Sequence, residues 1–450
     1  MTDLFGTSGI RGAVGTDVTA DLAVSVGRAV AAEGADRVVL GRDARVHGDV
    51  LADALAAGLR ESGAEVLRLG VAATPTVARS VDWYDADAGV VVTASHNPPS
   101  DNGIKLWTPS GRAFPAERRE AVADLIAADD APRAAWDAFG DQRRVEDAAE
   151  RHVETLVAGA ELSDPPSVVV DVGNGTGGVT VEALLRLGCD VETLNATPDG
   201  RFPARPSEPT AENCGTLART VAATDADFGV AHDGDADRMM AVTGDGEFVG
   251  GDELLAVFGL AAVDDDDRDR VAAPVNTSSA VDDALAARDA GVERTAVGDG
   301  FVADATLGDR VVFGGEPSGA WIWPDRALCP DGPLAAVTLA ELVAERGSLA
   351  VLLDDVPDYP IRRDAVETDA GEAVMERVEG RLAERFPQVT AIDGVRGDTD
   401  EGWVLVRPSG TQPLVRVTAE ARDAETAGDL LAEARALVEA AVEETGTDAE

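Results

Sequence analysis

The feature that most constrains this chain is a repeated alternation. Short apolar runs of strand length recur, and polar or glycine-rich bends and stretches of helical apolar spacing lie between them. Val38-Val39-Leu40 is the first such run, and Val50, Leu51, Ala54, Leu55 and Leu59 then share one helical face. Val66 to Leu69 and Gly89 to Thr93 repeat the run. Val168 to Val172 restarts it after a Ser-Asp-Pro-Pro break at 163–166, and Phe228 to Ala231, Val271 to Val275 and Val311 to Phe313 follow. Strands alternating with helices predict α/β units on mainly parallel, mixed sheets. At 450 residues the chain is too long for one ordinary core, since domains run to roughly 100–200 residues. Breaks near 145, 250 and 357 predict three similar α/β domains over 1–145, 146–250 and 251–357. A smaller α+β domain follows over 358–450, closed by a helix carrying Leu430, Leu437, Val438, Ala441 and Val442 at helical spacing.

Charge narrows the partners. With 84 acidic residues against 38 basic ones, the formal net charge is −46, which repels nucleic acid and anionic membranes. The acids are interleaved with Ala, Val and Leu, a pattern that suits the solvated surface of a protein working in high salt, where screening relieves self-repulsion. Lys105 is the only lysine and every other cation is arginine. A compact ammonium that can give up its proton is chemically distinct from guanidinium, so that position points to chemistry. Cys189, Cys214 and Cys329 are few and widely spaced, against a disulfide framework or a zinc site and for a reducing compartment. The start has no signal-peptide pattern and no apolar stretch is long enough to span a bilayer, so the expected location is the cytoplasm.

Four loops carry clustered polar groups after apolar runs, where α/β sheets gather ligands. The first, Thr93 to Lys105, presents Ser95, His96 and Lys105; a serine carries a phosphoryl group when a neighbour handles its proton. The second, His232 to Arg238, places Asp233, Asp235 and Asp237 at alternate positions, able to converge on a hard cation, with Mg2+ the usual choice beside phosphate. In the third, Gly314 to Gly319, Glu316 and Ser318 suit sugar hydroxyls. In the fourth, Arg407, Ser409, Gly410 and Thr411, with Arg416 beyond, form a phosphate cradle. Gly173 to Gly178 also satisfies a dinucleotide-type glycine pattern, but the next strand ends at Asn195 instead of an acid, so the glycines are read as close packing. His47, His152 and His232 are expected at turns or on the surface.

Taken in order with Gly6-Thr7-Ser8-Gly9-Ile10-Arg11-Gly12 and Gly41-Arg42-Asp43-Ala44-Arg45, these loops resemble the α-D-phosphohexomutase superfamily over essentially the whole chain. The resemblance implies four domains around a central cleft, each giving one loop. It implies phosphate on Ser95, and Mg2+ held by Asp233, Asp235, Asp237 and a phosphoryl oxygen on Ser95. Arg11 and Lys105 would flank the moving phosphoryl group, Lys105 as acid/base and His96 beside it. Arg238, Asp299, Glu316 and Ser318 would meet the sugar, and Arg407, Ser409, Gly410, Thr411 and Arg416 the second phosphate. A sugar 1,6-bisphosphate would serve as intermediate and activator. Ala320 and Asp299 stand where several members carry histidine, and the aspartate is more like the phosphoglucosamine mutase branch. Mannose or glucose phosphate is the runner-up substrate, and the protein is expected as a monomer or dimer. A haloacid-dehalogenase-like phosphatase using Asp233 as nucleophile fits less well, as does a non-catalytic sugar-phosphate binder. Position 237 lacks the threonine-type residue of the former, and the latter needs neither Ser95 nor a metal.

Overall fold

A computed structural model describes residues 4–6, 9–408 and 413–447. The apolar runs become the centres of three mixed sheets. The first has the order Ile10–Ala13, Asp101–Trp107, Ala88–Val92, Arg37–Arg42, Glu65–Val71 and Gln142–Arg144. Its last four strands are parallel, and Asp101–Trp107 runs antiparallel between Ala88–Val92 and Ile10–Ala13. Alternate residues feed opposite faces: Val38, Leu40, Val90 and Val92 pack on one side, Val39, Val91 and Trp107 on the other. Burial on both faces is why these strands read as continuous apolar runs.

The second sheet orders Phe248–Val249, Met239–Thr243, Phe228–His232, Ser167–Asp171 and Asp190–Leu194. The third orders Gly291–Thr295, Arg270–Pro274, Val311–Glu316 and Ala320–Ile322. These two units share one continuous core, from Val153 and Val170 through Phe258 and Phe313 to Leu352. The fourth sheet, Ile361–Glu367, Leu414–Ala421, Gly402–Pro408, Val395–Asp398 and Gln388–Thr390, is wholly antiparallel. Helices Gly371–Arg385 and Ala424–Thr447 cover one of its faces, while Trp403 and Leu405 pack against Val275 of the third unit.

Three of the candidate loops are bends of antiparallel β-hairpins, 93–100, 233–238 and 317–319, and the fourth falls between the antiparallel strands Gly402–Pro408 and Leu414–Ala421. The sequence predicts one long loop from Thr93 to Lys105; instead Lys105 lies inside the strand Asp101–Trp107, opposite Val91. In helix Gly48–Glu61 the buried face runs through Leu51, Leu55 and Leu59, but Val50 falls outside it and is exposed. Two histidine expectations are corrected. His152 and His232 are fully buried, each bonded at both ring nitrogens to residues that are mostly distant in sequence. Cys189, Cys214 and Cys329 are buried and free, and among the described residues no helix is long and apolar enough to cross a membrane.

Candidate functional site

The hairpin bends of the first two units meet face to face. Ser95 takes a left-handed backbone conformation, φ 52°, which is costly for a residue with a side chain and holds only where the surroundings over-determine it. They do. The Ser95 N–H donates to Thr93 Oγ1 at 2.9 Å, and the Thr93 hydroxyl donates to Asp43 Oδ2 at 2.7 Å. Arg45, fully buried and paired with Asp43 at 3.0 Å, donates to the backbone carbonyls of Ser95, Asn97, Pro98 and Asp101. Ser207 Oγ of the second unit donates to the Ser95 carbonyl at 2.9 Å.

The outcome is aim. Ser95 Oγ donates to Asp233 Oδ2 at 2.6 Å and lies 3.4 Å from Asp237 Oδ1 and 3.3 Å from His96 Nδ1. Asp233, Asp235 and Asp237 are buried, and each offers a carboxylate oxygen within 4.8 Å of the others. Lys105 Nζ donates to Asp235 Oδ2 at 2.9 Å and also to Asp237 Oδ2.

Three buried carboxylates this close cannot all carry charge unaided. Burial, then Asp237 and Asp235, push the Asp233 carboxyl well above its ordinary range. Burial and Asp235 likewise raise Asp237. Burial would raise Asp235 too, but Lys105 and the Thr74 hydroxyl outweigh it and hold Asp235 ionised. Burial would strip Lys105 of its proton, yet Asp235 and Asp237 reverse that and keep the ammonium charged. His96 is driven down to about 2 by burial and then by Arg238, Arg11 and Lys105, so its ring is neutral.

The carboxylates fit a divalent cation. Asp235 Oδ1 is buried without a hydrogen-bond partner among the described residues, a cost of about 1–3 kcal/mol or more that a metal bond would offset. Hard oxygen donors in this number suit Mg2+. Asp233, Asp235 and Asp237, with an oxygen on Ser95, would hold it.

The glycine-rich turn after Ser167–Asp171 buttresses this loop. A Cβ on Gly173, whose φ is +62°, would lie 2.6 Å from Arg205 Nη2, and one on Gly175 would lie 2.6 Å from the Gly234 carbonyl. Arg205, paired with Asp171 at 2.6 Å, donates in turn to the His232 carbonyl at 2.6 Å. His232 Nδ1 meets the Arg238 carbonyl at 2.9 Å, tying both ends of the aspartate loop together. The expectation of His232 at a turn or on the surface fails because Thr180, which meets Nε2 at 2.8 Å, lies far away in sequence.

The other candidates lie around this centre. Arg11 is on the strand beside Gly103, and its charge reaches His96 and Lys105. Arg238 bridges to Ala320, and Met239 N donates to the Gly319 carbonyl at 2.9 Å, so the 233–238 and 314–319 loops are joined. Glu316 Oε1 accepts from Gly298 N at 2.8 Å, and Ser318 Oγ donates to Oε2 at 3.4 Å. Burial, then Asp299, push Glu316 up to about 7. Asp299 opens the helix Asp299–Ala305 and lines a small pocket with Lys105. Arg407 Nη2 donates to Asp393 at 2.6 Å, and Arg416 faces Arg407 across the hairpin. Both line a cavity of about 510 Å³ with Asn276 and Arg363. Ser409, Gly410 and Thr411, like Thr7 and Ser8, lie outside the described residues. Sequence reasoning gave no role to Thr74, Arg45, Ser207, Arg205 or Arg363. Only Arg45 had a signal, its place in the Gly41 to Arg45 motif.

Four family models match successive parts of the chain: phosphoglucomutase/phosphomannomutase α/β/α domain I over residues 2–133, domain II over 150–246, domain III over 250–359 and the C-terminal domain over 365–437. A Methanopyrus kandleri protein named "Probable phosphoglucosamine mutase" is 44% identical over 451 residues, covering 99% of each chain. A Methanocella arvoryzae protein of the same name is 41% identical over 443 residues, 98% of this chain and 99% of that one. Among solved structures, a phosphoglucomutase/phosphomannomutase family protein from Burkholderia thailandensis superposes with TM-score 0.87 at 28% identity over 98% of both chains.

Proposed function

The chain belongs to the phosphoglucomutase/phosphomannomutase family, and from that premise we propose that it interconverts glucosamine 6-phosphate and glucosamine 1-phosphate through a phosphorylated Ser95. It is an intramolecular phosphotransferase, a phosphohexomutase. The observation that carries the reading is Ser95 Oγ inside the carboxylate triad, 2.6 Å from Asp233 Oδ2.

Phosphoryl transfer needs alignment and neutralisation of charge more than covalent help. In each half-reaction the phosphorus parts from one oxygen as another bonds to it, and a proton moves from the attacking hydroxyl to the departing oxygen. With a 6-phosphate bound, the sugar's free O1 hydroxyl attacks the phosphorus on Ser95, and Ser95 Oγ leaves as a hydroxyl. The 1,6-bisphosphate turns around, Ser95 Oγ attacks the other phosphorus, and the second sugar oxygen departs protonated. Lys105 enters charged, so it gives its proton to a departing oxygen and recovers one from the attacking hydroxyl. Arg11 stands beside it against the oxygens of the moving group. Bound Mg2+ supplies Lewis-acid polarisation of the phosphoryl oxygens.

Arg407 and Arg416, with Ser409, Gly410 and Thr411, hold the phosphate not in transit, so remote binding energy orients the reacting end. Glu316 and Ser318 take sugar hydroxyls, and Asp299 favours an amino sugar's ammonium. Sugar bisphosphate acts as activator by restoring phosphate to Ser95.

The test is turnover of glucosamine, mannose and glucose 6-phosphates side by side, in high salt with trace bisphosphate. Glucosamine phosphate should be preferred, and Asp299→Asn should erase that preference. An unchanged ranking in Asp299→Asn would remove the electrostatic argument, and a higher rate on mannose or glucose phosphate in the parent would reassign the substrate.

A further inference from the structure

Helix Thr74–Trp83 belongs to the first unit, yet its polar side chains are spent on the other two. Thr74, Thr76 and Ser80 are fully buried and Arg79 nearly so. Ser80 back-bonds within its own helix; the other three reach outward. Thr76 Oγ1 meets His152 Nδ1 at 2.8 Å, and His152 Nε2 lies 3.2 Å from Asp331 Oδ2. Arg79 Nε donates to that same Asp331 oxygen at 2.8 Å. Asp331 caps helix Gly332–Arg346 of the third unit through Leu334 N at 2.9 Å. One side of the helix is thus bolted to two neighbouring units.

At the helix start the same rigidity reaches the metal loop. Thr74 N donates to the Asp235 carbonyl at 2.8 Å, and Thr74 Oγ1 donates to Asp235 Oδ2 at 2.6 Å. The hydroxyl is not capping its own helix, since the N-cap position is Ala73, which makes no side-chain cap bond. A carboxylate held by one donor can still swing about its terminal bond. With Thr74 and Lys105 both on Oδ2, Oδ1 is left as the oxygen without a partner among the described residues.

We propose that Thr74 is a positioning residue for the metal. Its hydroxyl fixes the Asp235 carboxylate so that Oδ1 is committed to the cation, with the helix anchored through His152 and Asp331 as the rigid mount. This rests on reading 233–237 as the metal loop. Outer partners of this kind orient a ligating oxygen before the ion arrives, and losing one typically costs about 10- to 100-fold in metal affinity.

The experiment titrates the full-length protein, in high salt, with Mn2+ as the probe, counting free ion by its electron paramagnetic resonance signal. Thr74→Val removes the hydroxyl at nearly constant shape, and Thr74→Ser keeps it. Thr74→Val should bind Mn2+ about tenfold or more weakly, while Thr74→Ser stays near the parent. At saturating metal the KM for sugar phosphate should be unchanged in both. Should Thr74→Val fail to fold, Thr74→Ala repeats the comparison with a smaller side chain. Parental affinity in the hydroxyl-less variants would overturn the inference, as would equal loss in Thr74→Ser, which would make the effect one of packing. A parent that binds no Mn2+ would instead refute the metal-loop reading on which the inference rests.

Discussion

Around Ser95 the polar groups are sealed and paired across neighbouring units, whereas beside Arg416 three guanidiniums line about 510 Å³ of open space. Ser95 and Lys105 are 1% and 4% exposed; Arg416, on the rim, is exposed. The contrast matches the two physical demands of the proposed reaction. Bond making and breaking gains from preorganised charge in a dry site, because each interaction is stronger there and needs no rearrangement. Holding a phosphate that must let go and return gains from the opposite: solvated arginines that bind without a deep desolvation cost.

The largest effect that could break this contrast is at the sealed corner. Ser95→Ala should lower turnover by about 10^4-fold or more, because the group proposed to form the covalent intermediate is gone. A steady-state assay checks this, and a mild loss would mean that Ser95 is not the carrier. Next, chelation or Asp237→Asn should cost on the order of 10^3-fold, and added Mg2+ should restore the chelated parent but not the variant.

Glu316, bonded to Gly298 N and near the Asp299 and Arg238 charges, makes stability depend on pH. Its carboxyl is raised from 4.5 to about 7, chiefly by burial and then by Asp299. The folded chain therefore keeps a proton that the unfolded chain gives up. The stability this lends is full below about 4.5 and is lost as pH rises through 7. Glu316→Gln should thus gain on the parent across that interval, by up to about 3 kcal/mol, and hold the gain above it. Denaturant midpoints at fixed high salt measure it, and a gain that is independent of pH would contradict the assignment. The smallest effect is expected at the open cavity. Arg416→Ala should raise KM about 10- to 100-fold with a lesser fall in kcat, as loss of one charge-assisted bond of about 1.5–3 kcal/mol would give. A loss as deep as that of Ser95→Ala would erase the distinction between the corners.

The same two corners show what could be seen in the sequence. Parallel strands such as Ser167–Asp171 and Phe228–His232 were legible because burial on both faces writes itself as a run of Val, Ala and Phe. The hairpin partner of Ala88–Val92 was not. Asp101–Trp107 carries Asn102, Gly103 and Lys105, so it reads as a continuation of a polar loop although it is a buried strand. The serine, the three clustered carboxylates and the lysine were legible because their chemistry is local, in Asp-x-Asp spacing and a unique residue type. The groups that aim them were not, because Arg45, Ser207 and Thr74 act over separations of about 50, 112 and 161 residues. His152 and His232 went astray for that reason: a histidine's partners decide its role, and His152 bonds to Thr76 and Asp331 from other units. In the fourth unit the edge strand Ile361–Glu367 has no fully buried position and carries four charged residues, so the closing helix was the readable element.

The account turns on where the phosphorus goes during turnover. Incubating the protein with glucosamine 6-phosphate and a phosphorus-labelled bisphosphate, then sequencing the labelled peptide by mass spectrometry, follows it directly. The predicted result is one phosphoryl group per chain on Ser95, exchangeable into both sugar monophosphates. Label released as inorganic phosphate, with Ser95 unmodified throughout, would contradict it.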